Sequence, residues 1–179
     1  MIKVICIGKL KEKYFKDASC EYLKRLGKYT KISLIEIADC SDVDVKSCLA
    51  KEKEAILKNV KDKDNVVLLD VNGIEYSSTS FSDFINDELS YNSNITFIIG
   101  SSNGFDDEIY SLFKKRISFS KMTFPHQLFR VLLLEQIYRS FKIINNKNKM
   151  YKNKTHLFKV NNNIIEEKSF LSNFFDKKP

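Results

Sequence analysis

Apolar positions along the chain gather into short continuous runs separated by stretches with a helical period. KVICIG (3–8), ISLIEI (32–37), NVVLLD (65–70), ITFIIG (95–100) and ISFSKM (117–122) read as strands. The intervening spacing predicts helices near 12–27, 44–60, 79–90, 106–115 and 125–144. The first carries Phe15, Ala18, Tyr22 and Leu26 on one face and charges opposite. Runs apolar throughout, alternating with amphipathic helices, predict an α/β fold with a mostly parallel sheet flanked by helices. Turn signals fall after two of the strands, at Asn72-Gly73 and Asn103-Gly104.

The last helix stands apart. Pro125 suits a first helical position, and VLLLEQIYRSFKII (131–144) is apolar on too many sides for a surface helix. It is either central to the core or half of a dimer interface. NNKNKMYKNKTHLFK (145–159) reads as a basic, asparagine-rich connector. Beyond it, Ile164, Phe170, Leu171, Phe174 and Phe175 share one side of a short amphipathic helix with Asn163 as cap.

Composition narrows the class. At 179 residues with 43% hydrophobic and 30% charged, the chain suits one compact soluble domain. No apolar stretch approaches the roughly 20 residues that span a bilayer, and MIKVICIGKL is too short and strand-like for a signal peptide. A cytoplasmic location without membrane contact is expected. The net charge is +7, which favours polyanionic partners. Only four of the 30 basic residues are arginine, however, and this lysine and asparagine bias also fits AT-rich coding. Cys6, Cys20, Cys40 and Cys48 form no C-x-x-C pair, so reduced structural thiols are expected. With His126 and His156 the only histidines, no metal site is expected.

Several chemistries are excluded by missing motifs. There is no G-x-G-x-x-G, no G-x-x-x-x-G-K-[ST] and no G-x-S-x-G. What remains are three strand ends: LLDVNG (68–73), IIGSSNG (98–104) and FSKMTF (119–124). Ligands of open parallel sheets bind beyond the carboxyl ends of strands. A pocket of backbone amides and apolar side chains there suits an adenosyl group without a phosphate.

KLKEKYFKDASCEYLKRLGKYTKISLIEI (9–37), IIGSSNG (98–104) and above all SFSKMTFPHQLFRVLLLEQIYRSFKI (118–143) resemble the RlmH family. These are SPOUT-class methyltransferases that modify N3 of a pseudouridine in 23S ribosomal RNA. The resemblance covers about residues 1–151, implying one SPOUT domain there and a C-terminal extension over 152–179. It implies a C-terminal trefoil knot, a homodimer, S-adenosyl-L-methionine as cofactor, and 23S rRNA within the assembled ribosome as substrate. By position, the cofactor site would be Leu69, Gly100, Phe119, Ser120, Lys121, Met122, Thr123 and Phe124. Gly100-Ser101-Ser102 stands where the family more often has Gly-Gly-Ser.

Methyl transfer to N3 requires alignment of the nitrogen and handling of its proton. The residues considered for it are His126, Arg130, Glu135, Tyr138, Arg139 and Tyr151. Bland roles remain open for them: Glu135 and Arg139 can form an i,i+4 ion pair, and His126 can satisfy a backbone group. Arg130 can hold an RNA phosphate or buttress the knot. The family ends in a Tyr-His-basic motif that enters the active site. Here Tyr151 is followed by Lys152, and His156 is a distant substitute. A homologue that binds the cofactor or RNA without efficient transfer is therefore the alternative reading.

Overall fold

The structure, a computed structural model, describes residues 1–40, 44–61 and 65–160, and the side chains up to residue 149. Five strands, β1 (Ile2–Ile7), β2 (Ile32–Ile37), β3 (Val66–Glu75), β4 (Ile95–Ile99) and β5 (Arg116–Ser118), form one sheet in the order β2-β1-β4-β3-β5. Every pairing is parallel. The helices are α1 (Lys13–Leu26), α2 (Val45–Asn59), α3 (Ser78–Tyr91), α4 (Asp107–Leu112) and α5 (His126–Val160). One compact unit covers Met1–Ile144, and the chain from Asn145 onward forms a second.

Alternation within each strand produces two cores. Ile2, Val4, Val67, Leu69, Phe97 and Ile117 face α1, α3 and α5, where Leu26, Phe81, Ile85, Leu133, Leu134 and Ile137 meet them. Ile5, Ile7, Val66, Leu68 and Ile98 face the opposite way, toward Ile56 of α2 and Ile109 of α4. A sheet covered on both faces needs strands apolar at successive positions, which is why β1 and β4 are buried end to end. Full burial of one Leu or Ile side chain is worth about 1.5–3 kcal/mol. Leu133, Leu134 and Ile137 are wholly buried within the single chain, so the apolar excess of α5 goes at least partly into the core.

Local chemistry fixes most helix starts. The Asp44 carboxylate accepts from the Lys46 and Ser47 amides, Ser77 caps α3 through the Ser80 amide, and Asp106 caps α4. The Pro125 carbonyl accepts the first bond of α5 from the Phe129 amide at 2.9 Å.

The structure departs from sequence expectation in four places. First, β3 does not end at Asn72-Gly73 but runs to Glu75, with a register shift against β5 between Leu69 and Ile74. Gly73 serves close approach there: an added Cβ would stand 2.5 Å from the Ile117 carbonyl carbon. Second, β5 stops at Ser118, because the Ser118 and Ser120 hydroxyls bind the Ser120 and Met122 amides and turn the chain out of the sheet. Third, the expected connector after Ile144 is helical through Val160 as part of α5. Fourth, Cys40 and Cys48 form a disulfide, against the expected reduced thiols, because the end of β2 and the first turn of α2 bring them together; Cys6 and Cys20 are free. The expected tail helix at Asn163–Phe175 lies outside the described residues.

Candidate functional site

Strands β4, β3 and β5 are neighbours in the sheet, so their carboxyl ends open side by side. A cleft of about 700 Å³ lies there, within the range of small-molecule sites. Its apolar wall includes Leu69, Ile99, Phe105, Ile117, Phe119 and Phe129. Its polar lining includes Asp70, Ser101, Asn103, Tyr110, Ser118, Ser120 and His126. Phe119 and Phe129 are packed together at 5.1 Å between ring centroids, and Phe119 meets Phe81 of the core edge-on at 5.8 Å.

Gly100 shapes one edge of the cleft. The chain folds back immediately after it, with the Gly104 amide bonded to the Ser101 carbonyl at 3.1 Å. A Cβ on Gly100 would lie 2.8 Å from the Gly104 carbonyl oxygen and 3.1 Å from the Phe105 ring. The left-handed residue of this turn is Gly104, at φ 79°, whereas Ser101 has negative φ. Serine after Gly100 is therefore compatible with the turn, which draws its conformational freedom three residues later.

Of the eight residues proposed for a cofactor, Leu69, Gly100, Phe119, Ser120, Met122, Thr123 and Phe124 line this cleft. Lys121 does not; its side chain is 75% exposed and its ammonium is 3.5 Å from Glu75. Met122 is 72% exposed and Phe124 37%, so one rim presents apolar surface outward.

The residues proposed for catalysis separate. His126 borders the cleft, with its ring against Gly8, where an added Cβ would stand 2.8 Å from Nε2. Of the two alternatives open for Arg130, an RNA-phosphate contact and an internal buttress, its complete burial favours the second. Its guanidinium donates to the Glu36 carboxylate and, at 2.7 Å, to the Gly8 carbonyl. It thereby ties α5 to the end of β1 and to β2. Burial pushes the Glu36 carboxyl up, but bonds from the Leu10 amide and Arg130 outweigh that and hold it below its ordinary value. Burial pushes the neighbouring Cys6 thiol up to about 12, against an opposing pull from Arg130.

Glu135 and Arg139 form a helical ion pair at 2.5 Å, with Arg139 half exposed, and neither lines the cleft. Tyr138 packs among Tyr22 and Tyr29, with ring centroids 6.2 and 6.0 Å away. Tyr151 falls on α5, and its side chain lies outside the described ones.

Two polar groups of the cleft were missed from sequence. Asp70, its side chain only 6% exposed, sits 3.5 Å from Arg116 and accepts from the Asn72 amide. Tyr110 packs against Phe105 and under the Arg116 guanidinium, 5.6 Å from its ring centroid. Burial raises the Tyr110 phenol above its ordinary value, and the charge of Asp70 raises it further. A carboxylate directly after LL at a strand end was a legible signal for Asp70. Nothing in the spacing marked Tyr110.

An apolar slot with a few convergent polar groups at the carboxyl ends of adjacent parallel strands defines an open-sheet α/β protein built to take a small ligand. Residues 1–150 match the family described as "Predicted SPOUT methyltransferase". The ribosomal RNA large subunit methyltransferase H of Caldicellulosiruptor saccharolyticus is 50% identical over 147 residues, covering 80% of this chain and 96% of that protein. Its namesake from Clostridium tetani is 49% identical over 151 residues, covering 80% and 95%. A solved structure described as that of "a probable methylase family protein" from Haemophilus influenzae Rd KW20 shares the fold, with TM-score 0.50 and 18% identity, covering 82% of this chain and 68% of that one. The chain belongs to the SPOUT methyltransferase family.

Proposed function

We propose that the protein is a large-subunit ribosomal RNA methyltransferase that uses S-adenosyl-L-methionine to methylate N3 of a pseudouridine in 23S rRNA. The observation that carries this reading is the cleft at the ends of β4, β3 and β5, in a chain half identical to relatives named for rRNA methylation. Gly100 lies at the edge of the cleft where the cofactor would sit, and glycine there lets the Gly104 carbonyl and the Phe105 ring close against it.

Leu69, Gly100, Phe119, Ser120, Met122, Thr123 and Phe124 would hold the cofactor, with Phe119 and Phe129 excluding water. When bound, S-adenosylmethionine supplies an electrophilic methyl group on a sulfonium. The chain's own task is to orient the base and accommodate the N3 proton. Among the candidates with described side chains, His126 is the one bordering the cleft. The resemblance further assigns the 1–151 segment to the SPOUT domain and implies a trefoil knot, a homodimer and the assembled ribosome as substrate; the composition favours a cytoplasmic location. Among the described residues no helix is long and apolar enough to cross a membrane.

The test is transfer of labelled methyl to ribosomes from a strain lacking its own enzyme of this family, followed by mapping of the product. Label at N3 of the pseudouridine supports the proposal. Lys152, standing where the family has histidine, favours a second reading in which cofactor binds without efficient transfer. Calorimetric binding with no labelled product would select that reading.

A further inference from the structure

The positive charge of this protein is concentrated in one short stretch. Between Glu135 and Glu166 there is no acidic residue, and Asn145–Val160 carries Lys147, Lys149, Lys152, Lys154 and Lys159. That stretch supplies five of the chain's seven net positive charges, leaving the remainder nearly neutral. AT-rich coding spreads lysine over all solvated surface together with its acidic neighbours. It does not account for an acid-free block of this kind.

The stretch is helical throughout, as the last part of α5. At about 100° per residue, positions 149, 152 and 159 fall within an arc of roughly 80°, extending about 15 Å along the axis. His156 and Asn145 share that arc. The family match ends at residue 150, so most of this basic helix has no counterpart in the part of the chain shared with the family.

We infer that the basic helix 145–160 is a second nucleic-acid contact, an arm that binds the phosphate backbone of structured RNA without reading its sequence. A row of cations along a helix displaces counterions from a polyanion, and the gain is entropic and steeply salt-dependent. Lipid is the less suitable partner. A helix lying in a membrane surface needs an uninterrupted apolar face. Here Met150 and Leu157 form one apolar stripe and Tyr151 and Phe158 another, and Lys147 and Lys154 occupy the positions between them. The choice of RNA as partner rests on the rRNA methyltransferase reading; the concentration of charge does not.

The test uses the full-length protein and an A-form RNA duplex of scrambled sequence containing no pseudouridine, followed by fluorescence anisotropy from 50 to 200 mM salt. The parent is expected to bind with a steep salt slope. The double variant Lys149→Gln, Lys159→Gln, which removes two cations of the row, is expected to lose roughly two units of that slope and about tenfold in affinity at low salt. The matching double arginine variant should retain both, and cofactor affinity should be unchanged in either. Lys152 is left intact because it adjoins Tyr151. An unaltered slope in the glutamine variant overturns the inference. So does parent protein that prefers phosphatidylserine vesicles to the duplex. Because the duplex offers no methylation target, failure of the proposed methyl transfer would leave this result standing, and the reverse also holds.

Discussion

The Arg130 guanidinium, wholly buried, donates at 2.7 Å to the carbonyl of Gly8, which lies 122 residues earlier in the chain. The same guanidinium meets Glu36, whose carboxylate also accepts the Leu10 amide at 3.0 Å. One side chain thus closes the end of β1, the edge strand β2 and the first turn of α5 around a single charge. Replacing Arg130 by methionine leaves the Gly8 carbonyl and part of Glu36 without their donor. The expected loss of unfolding free energy is about 3 kcal/mol, from denaturant titration. A variant within 0.5 kcal/mol of the parent would show that water or a neighbouring group replaces the guanidinium.

The linkage at Glu36 has a definite sign. Its folded carboxyl is held below the ordinary value by the Leu10 amide and Arg130, which outweigh burial. The stabilisation is therefore present above the ordinary carboxylate value of about 4.3 and disappears as pH falls through the lower folded value. Urea midpoints of the parent and Glu36→Gln should differ at neutral pH and converge below about pH 4. A difference that persists or grows in acid would mean that packing, not charge, accounts for it.

At the cleft, Gly100→Ala should act on the ligand more than on the fold. The new methyl group would lie 2.8 Å from the Gly104 carbonyl, so the turn must shift outward from the cleft edge. Cofactor affinity measured by calorimetry should fall at least about tenfold, some 1.4 kcal/mol, while the far-ultraviolet circular dichroism stays unchanged. Retained affinity would place the adenosyl group away from this edge.

Tyr110 reports on Asp70. Burial is the main cause of its raised phenol, and the Asp70 carboxylate adds to it. Asp70→Asn removes the charge but not the burial. The Tyr110 phenol in that variant should titrate at lower pH than in the parent, yet still above a free tyrosine near 10. Ring-labelled tyrosine resonances followed through alkaline pH would measure this. An unmoved titration would show that the carboxylate is already neutralised by Arg116, 3.5 Å away.

How far the sequence revealed this architecture depended on the kind of interaction. Strands β1 and β4 were legible because burial on two faces demands unbroken apolar runs. The LLD, IIG and FSKMTF segments were legible as one cleft for a similar reason, since strand ends in a parallel sheet converge. Arg130 was not, because its burial depends on a carbonyl and a carboxylate far away in sequence. Neither was the helix beyond Ile144, where asparagine and lysine weaken the apolar period that marks a helix. The Cys40–Cys48 bond likewise depends on a strand end meeting a helix start, which spacing alone did not reveal.

The Asn72-Gly73 dipeptide is the sharpest of these differences and yields a prediction of its own. As a turn signal, glycine there would supply positive φ, and asparagine or aspartate would be tolerated in its place. In the structure Gly73 has no positive φ and lies inside β3, where the register shift presses it against β5. An added Cβ would meet the Ile117 carbonyl carbon at 2.5 Å and its amide nitrogen at 2.6 Å, both backbone atoms that cannot rotate away. Gly73→Ala should therefore separate β3 from β5 and cost about 2–3 kcal/mol, well above the 0.5–1 kcal/mol favourable to alanine that intrinsic strand preference alone would give. Because Ile117 and Ser118 line the cleft, cofactor affinity should fall with stability. Gly73→Asn should behave like the alanine variant. An asparagine variant of parental stability would instead return Gly73 to the role of a turn residue and remove the bulge as the element that sets β5 against the cleft.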